Sequence, residues 1–315
     1  MKVYHSIEEF TRIDNAVLTT GTFDGVHYGH RTILDRLIRI AKESKGESVL
    51  LTFHPHPRIV LQPSSDVKLL CTQDEKIELL QKTGLDHLII HPFTKSFSQT
   101  DSETFIQQLL VEKIGAKKLV IGYDHHFGRN REGSFKNLKK SASTYGFTVE
   151  EIPAQELDDV TVSSTKIRQA LSEGHVEKAE EWLGYHYRIR GKVVRGKQIG
   201  RNISFPTANI VVSNLNKLIP GNGVFAVRVK RLHQPENQSL LGMCNIGNKP
   251  TIGDGFRTIE VHLFDFDESI YGEELEVSFV KTLRQEEKFA DLEALKSQLK
   301  KDRAEALVIL NNLNP

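Results

Sequence analysis

The hydrophobic rhythm of this chain changes close to Leu183, and no single sheet can satisfy both halves. Before that point short apolar runs alternate with helical patterns. Ala16–Thr20 reads as a strand, and Arg31–Ser44 then sets Ile33, Leu34, Leu37, Ile38 and Ala41 on one helical face. Ser48–Phe53 is the next strand, ended by the break His54-Pro-His-Pro57. Further strands fit at His87–Ile90, Lys118–Ile121 and Phe147–Ile152, with helices at Asp74–Thr83, Ser102–Ile114 and Ser134–Tyr145. Such alternation predicts a parallel sheet with helices on both faces and ligands beyond the carboxyl ends of its strands.

From Tyr187 onward, β-branched and aromatic runs separated by Gly or Pro turns take over. Strands are expected at Arg188–Val194, Ala208–Val212, Val224–Arg231, Leu240–Asn245, Thr258–Phe266 and Leu275–Leu283, with no helix between them. This spacing predicts a six-stranded antiparallel barrel, against which an amphipathic helix, Leu292–Leu310, packs. The expected fold class is α/β: a Rossmann-like domain over residues 1–184, then a barrel domain over 185–315. A chain of 315 residues suits two cores better than one.

Bulk properties narrow the function. The 42 basic and 41 acidic side chains leave a formal net charge of +1, which argues against a nucleic-acid binder but permits a local basic pocket. The first ten residues lack the apolar core of a signal peptide, and nowhere do roughly 18 apolar residues run together, so no membrane partner is expected. Cys71 and Cys244 form neither a disulfide framework nor a zinc knuckle, which fits buried thiols in a reducing cytoplasm.

Gly21-Thr-Phe-Asp-Gly-Val-His-Tyr-Gly-His30 lies where a strand becomes a helix. Gly21 and Gly25 let backbone amides approach a polyphosphate, and the helix starting near Gly29 offers unpaired N–H groups and partial positive charge. His27 and His30 can both face phosphates and donate hydrogen bonds; the same spacing could hold a metal. In Val162-Ser-Ser-Thr-Lys-Ile-Arg168 the hydroxyls of Ser163, Ser164 and Thr165 precede a helix, while Lys166 or Arg168 can neutralise charge. Taken alone this segment is an ordinary helix cap; beside the histidine motif it reads better as phosphate binding. His54, His56, His125 and His126 have no acidic or Cys companion at zinc spacing.

Together these segments resemble the His-x-Gly-His and Ser-Ser-Thr-x-x-Arg signatures of the nucleotidyltransferase superfamily, whose members join the α-phosphate of ATP to a phosphate or carboxylate. With Thr52-Phe-His-Pro55 and Gly122-Tyr-Asp-His-His-Phe-Gly128, they resemble the FMN adenylyltransferase half of bacterial bifunctional riboflavin kinase/FAD synthetases. The resemblance implies catalytic roles for His27, His30 and Arg168. It implies ATP or flavin contacts at Gly21, Phe23, Asp24, Gly25, Gly29, Phe53, His54, Asp124, Ser163, Ser164 and Thr165.

In the second half, Pro206 forbids a regular central strand, so the chain is expected to turn and expose Thr207 and Asn209, whose oxygens suit Mg²⁺. Pro-Thr-Ala-Asn by itself is more often an ordinary turn. Gly200-Arg-Asn-Ile-Ser-Phe-Pro-Thr-Ala-Asn209 resembles the Gly-Arg-x-x-Gly-x-Pro-Thr-Ala-Asn signature of riboflavin kinases. Gly223–Val227, Asn245–Thr251, Glu260–Asp265, Tyr271-Gly272 and Leu283–Phe289 follow as supporting matches. That resemblance implies Glu260 as the base for the ribityl hydroxyl, Arg284 steadying the transferred phosphate, and binding contacts at Gly200, Arg201, Pro206 and Asn245. Thr207 and Asn209 would hold Mg²⁺. Ser204 departs from the family's usual Gly: it is costly if the position needs φ > 0, harmless if only a small side chain is required. Riboflavin, FMN and ATP are the implied partners; no motif fixes an oligomeric state.

Overall fold

Every residue of strand β2 (Ala16–Thr20) is buried, so the strand must be covered on both faces. The computed structural model describes residues 1–64, 66–122, 126–129, 132–153, 162–196, 200, 203–234, 239–248 and 257–312. In it β2 is a central strand of a six-stranded parallel sheet ordered β1-β4-β3-β2-β5-β6. The other members are β1 (Lys2–Tyr4), β3 (Glu47–His54), β4 (His87–Pro92), β5 (Ala116–Gly122) and β6 (Thr148–Ile152). The order reverses between β2 and β5, and in open parallel sheets the crevice beyond that point is where ligands bind.

Helix α1 (Tyr28–Glu43) lays Leu34, Leu37, Ile38 and Ala41 against β2, β3 and β5. Two shorter helices, α2 (Pro57–Leu61) and α3 (Gln73–Gln81), follow; α3 is opened by a capping box between Thr72 and Glu75. On the other face, Leu18, Val49, Leu51, Ile89, Leu119 and Ile121 cluster with Phe105, Ile106, Leu110 and Ile114. The latter four lie on a π-helical stretch, Phe105–Ile114, that continues α4 (Ser102–Thr104). An ordinary helix was expected there. Apolar residues at 105, 106, 109, 110, 111 and 114 follow the spacing of an ordinary helix, so the wider π turn left no separate mark in the sequence. Leu138 of α5 (Phe135–Tyr145) completes this face. The three-residue β1 and the five-residue α2 are too short for periodicity to reveal.

The chain divides into two compact units, Met1–Ser164 and Thr165–Pro315. The division falls after the first residue of α6 (Ser164–Ser172); α7 (Val176–Leu183) follows and was not anticipated. The Glu177 carboxylate of α7 accepts the backbone N–H of Thr282 at 3.1 Å, which ties α7 to the barrel. The barrel is closed and antiparallel in the order β10-β11-β8-β7-β12-β9. Its strands are β7 (Arg188–Val194), β8 (Ala208–Val211), β9 (Gly223–Arg231), β10 (Leu240–Asn248), β11 (Arg257–Leu263) and β12 (Glu274–Arg284). Terminal helix α8 (Leu292–Asn312) buries Ala306 and Leu310 against Ala226, Met243 and Val280. The expected α/β fold, parallel sheet then six-stranded barrel and helix, is the observed one.

Ser204 resolves one open point: its φ is +63°, in the left-handed region that favours glycine. Such a conformation costs an L-residue about 1–2 kcal/mol. Glycine would remove that cost but lose more entropy on folding, about 0.5–1 kcal/mol. Ser204→Gly is therefore expected to stabilise the barrel by about 0.5–1 kcal/mol, read as a higher urea midpoint at unchanged slope; a lower midpoint would contradict it.

Candidate active sites

The loop leaving β2 is strained. Phe23 and Val26 hold φ of +46° and +39°, and Gly25 stands at +84°. Positive φ in a β-branched residue such as Val26 is a true outlier, and such strain persists only where surrounding contacts impose it. Those contacts are present. Gly21 donates its N–H to the Leu51 carbonyl at 3.1 Å. The Thr22 carbonyl accepts from the Thr52 hydroxyl at 3.2 Å and from the buried Lys76 ammonium at 2.8 Å. The Asp24 carboxylate, 2% exposed, accepts the backbone N–H of Leu70 at 3.0 Å and of Cys71 at 3.2 Å. Gly25 donates to the Cys71 sulfur at 3.1 Å. Asp24, expected among the ligand contacts, thus turns its carboxylate to the protein's own backbone.

His27 is the N-cap of α1 and His30 lies in its first turn, so both stand at the positive end of the helix. Their rings stack at 3.7 Å, and Phe23 continues the stack on His30 at 4.7 Å. Gly29 sits between them on α1. The Ser164 hydroxyl donates to the Asp24 carbonyl at 3.2 Å, which brings Ser164 to this loop. Ser163 immediately precedes α6; Thr165 and Arg168 belong to it. At the end of β3 the Phe53 ring packs on Phe93 and Phe97, each at 5.7 Å. Partial desolvation, and then the charge of Lys76, hold the His54 imidazole below its ordinary pKa, with Asp74 opposing. Asp124 lies outside the described residues, as does Arg201 in the second half.

In the barrel, strand register does what spacing alone could not. Asn245 of β10 faces Glu260 of β11, and Glu260 faces Asn209 of β8, so the three form one row across three strands. The Thr207 hydroxyl donates to Glu260 Oε2 at 3.4 Å. Gly200 is required by close approach: a Cβ there would lie 2.2 Å from the Phe205 carbonyl oxygen. A cavity of about 400 Å³ is lined by Thr207, Asn209, Asn245, Glu260, His262 and Arg284, among others. A second, of about 340 Å³, is bordered by Gly196, Pro206, Thr207, Asn209, Phe266 and Tyr271. Thr207 and Asn209 border both; Glu260 borders only the first.

Arg284 reaches the first cavity, but its guanidinium is held by the buried Asp302 carboxylate at 2.9–3.1 Å and lies over the Phe289 ring. Asp302 and His262 carried no expectation from sequence; His262 had a signal, its place two residues after Glu260 on an alternating strand. Burial and then the neighbouring Glu260 charge push the Cys244 thiol far up, so it stays protonated. Among the described residues no group of three His, Cys, Asp or Glu side chains is arranged to hold a metal. The Thr207 hydroxyl and the Asn209 amide oxygen are hard donors, which fit a divalent cation such as accompanies ATP.

Residues 10–166 match the FAD synthetase family and residues 183–310 the riboflavin kinase family. A bifunctional riboflavin kinase/FMN adenylyltransferase of Haemophilus influenzae is 36% identical over 313 residues, covering 99% of this chain and 100% of the relative. The chain belongs to the bifunctional riboflavin kinase/FMN adenylyltransferase family. A Listeria monocytogenes relative of the same description is 38% identical over 304 residues, with 95% and 94% covered. A crystal structure described as a macrolide-efflux protein from Streptococcus pneumoniae superposes with a TM-score of 0.85 at 28% identity, covering 96% of this chain and 97% of that one. Among the described residues no helix is long and apolar enough to cross a membrane. The chain is thus an enzyme of FAD biosynthesis, with a riboflavin kinase and an FMN adenylyltransferase half.

Asp24→Ala removes an acceptor from two buried amides, at about 1–3 kcal/mol for each group left unsatisfied. The variant should lose at least about tenfold in FMN adenylylation through a relaxed loop, and kinase activity should remain. Separate assays of the two reactions on the purified variant check this.

Proposed function

We propose that residues 185–315 transfer the γ-phosphate of ATP to riboflavin and that residues 1–184 then join the FMN product to the α-phosphate of a second ATP. The observation that carries the kinase assignment is the Asn245–Glu260–Asn209 row beside Thr207, which lines the first cavity and reaches the second through Thr207 and Asn209. Riboflavin occupies the cavity that Glu260 borders, and ATP the other, so that the γ-phosphate meets the hydroxyl over Thr207 and Asn209. Glu260 takes the proton of the terminal ribityl hydroxyl as its oxygen attacks phosphorus. Thr207 and Asn209 would hold a divalent cation such as Mg²⁺, which would neutralise charge on the ATP phosphates. Gly200, Arg201, Pro206 and Asn245 shape the pocket, and Arg284 faces the transferred phosphate from its seat on Asp302.

In the first half the nucleophile is already an anion, an FMN phosphate oxygen. It forms a bond to the α-phosphorus while the bond to pyrophosphate breaks, and no strong base is required. The barrier falls through positioning and charge stabilisation. His27, His30, Ser164 and Arg168 are assigned as donors, and Gly21, Gly25 and Gly29 as points of close backbone approach. Ser163 and Thr165 flank the phosphates, while Phe23, Phe53, His54 and Asp124 border adenine or flavin. Both cysteines are free and buried, which suits a reducing cytoplasm. Neither a nucleic acid nor a membrane takes part.

Two substitutions separate the halves. His30→Ala is expected to slow FMN-to-FAD conversion about 10²–10³-fold while FMN still accumulates. Glu260→Gln should slow FMN formation about 10²–10⁴-fold and spare adenylylation of added FMN. Chromatography of flavins after incubation with riboflavin or FMN, ATP and Mg²⁺ reads both. Loss of both reactions in a folded single variant would refute independent sites.

A further inference from the structure

β11 carries Glu260 and His262 two residues apart, so both side chains leave the strand on one face, and both line the first cavity. His262 is only 7% exposed, and its Nδ1 stands 2.7 Å from the Pro206 carbonyl oxygen. A carbonyl can only accept, so Nδ1 carries the proton and donates it. That carbonyl belongs to the peptide joining Pro206 to Thr207. The bond therefore sets the plane from which Thr207 projects toward Glu260.

The turn leading into this peptide needs such a restraint. Ser204 holds φ at +63°, and a strained turn persists only where its surroundings over-determine it. Phe205 packs on the His262 ring at 5.1 Å, and Phe264 meets the same ring at 5.7 Å. One imidazole thus supplies both a polar and an apolar contact to the segment. Burial, helped by the charge of Arg303, holds this imidazole below its ordinary pKa against the Pro206 bond and Asp265.

We propose that His262 is a positioning residue of the kinase reaction, its Nδ1–H locking the Pro206–Thr207 peptide so that the Thr207 hydroxyl stays registered on Glu260. This rests on the assignment of the barrel as the riboflavin-phosphorylating half. The test uses the full chain with three substitutions. His262→Phe keeps ring packing and removes the donor. His262→Asn places an amide N–H near the position of Nδ1. His262→Ala removes both contacts.

His262→Phe is expected to lower kinase kcat about ten- to a hundredfold with riboflavin KM within about twofold, because misplacement of a reacting group acts on the chemical step. His262→Asn should recover most of that loss, and adenylylation of added FMN should be unchanged in all three. The inference is overturned if His262→Phe keeps the wild-type kcat, if His262→Asn is no better than His262→Phe, or if only riboflavin KM moves. Should His262→Phe fail to fold, as judged by its melting transition, the Asn and Ala variants carry the same comparison. Failure of the wild-type chain to form FMN would refute the kinase assignment instead.

Discussion

The Asp24 carboxylate sits almost wholly out of water and turns to two backbone amides of residues 70 and 71, and the loop at the sheet's switch point depends on that contact. Phe23 and Val26 adopt backbone conformations that cost energy in isolation. Asp24, with the Lys76 and Thr52 donors on the Thr22 carbonyl, opposes a relaxation of the loop that would unstack Phe23, His30 and His27. The barrel uses the same device with opposite polarity. There the strained residue is Ser204, and the side chain that restrains the turn is a donor, His262, acting on a carbonyl. In each half a buried side chain holds backbone that must stay bent.

Charge is managed differently in the two halves. In the kinase cavity Arg284 is neutralised by Asp302, which also takes the Gln298 amide at 2.8 Å. A guanidinium so engaged is fixed in direction and has little freedom to chase a phosphate, which suits the proposed assignment of this cavity to riboflavin, an acceptor that arrives uncharged. On the proposed assignment the adenylyltransferase loop receives an FMN phosphate and an ATP together. It presents the N-terminus of α1, two imidazoles and small hydroxyls, donors that follow charge as it shifts between oxygens.

Much of this was legible in the chain. Strand positions in both halves were visible because full burial or strict alternation writes itself into β-branched and aromatic runs. Boundaries were less so. The apolar periodicity of α1 shows only from Arg31, although the helix begins at Tyr28, close to the start near Gly29 that the glycine–histidine motif suggested. Its cap, His27, lacks the Ser, Thr, Asp or Asn that marks most helix starts. The π-helical stretch carries apolar residues at 105, 106, 109, 110, 111 and 114, which read as the face of an ordinary helix. Residue types named the candidate chemistry at His27, His30, Thr207, Asn209 and Glu260. What they touch was hidden, because the partners of Asp24 are backbone groups about 46 residues away and every amide looks alike in a sequence. Likewise the Asn245–Glu260–Asn209 row is a product of register, which depends on turn lengths and bulges along the whole barrel.

The division of labour follows from the nucleophiles. A ribityl hydroxyl is a poor nucleophile until its proton leaves, so the first reaction calls for a carboxylate held at a fixed distance and angle. Antiparallel strands provide that, because register fixes neighbours on one face to within a fraction of a residue. A phosphate monoester needs no deprotonation, only a place where two polyanions can meet without prohibitive repulsion. The carboxyl ends of parallel strands provide this through amide N–H groups and a helix N-terminus. Joining the two architectures lets one chain convert a neutral alcohol into the anion that its other half is built to receive.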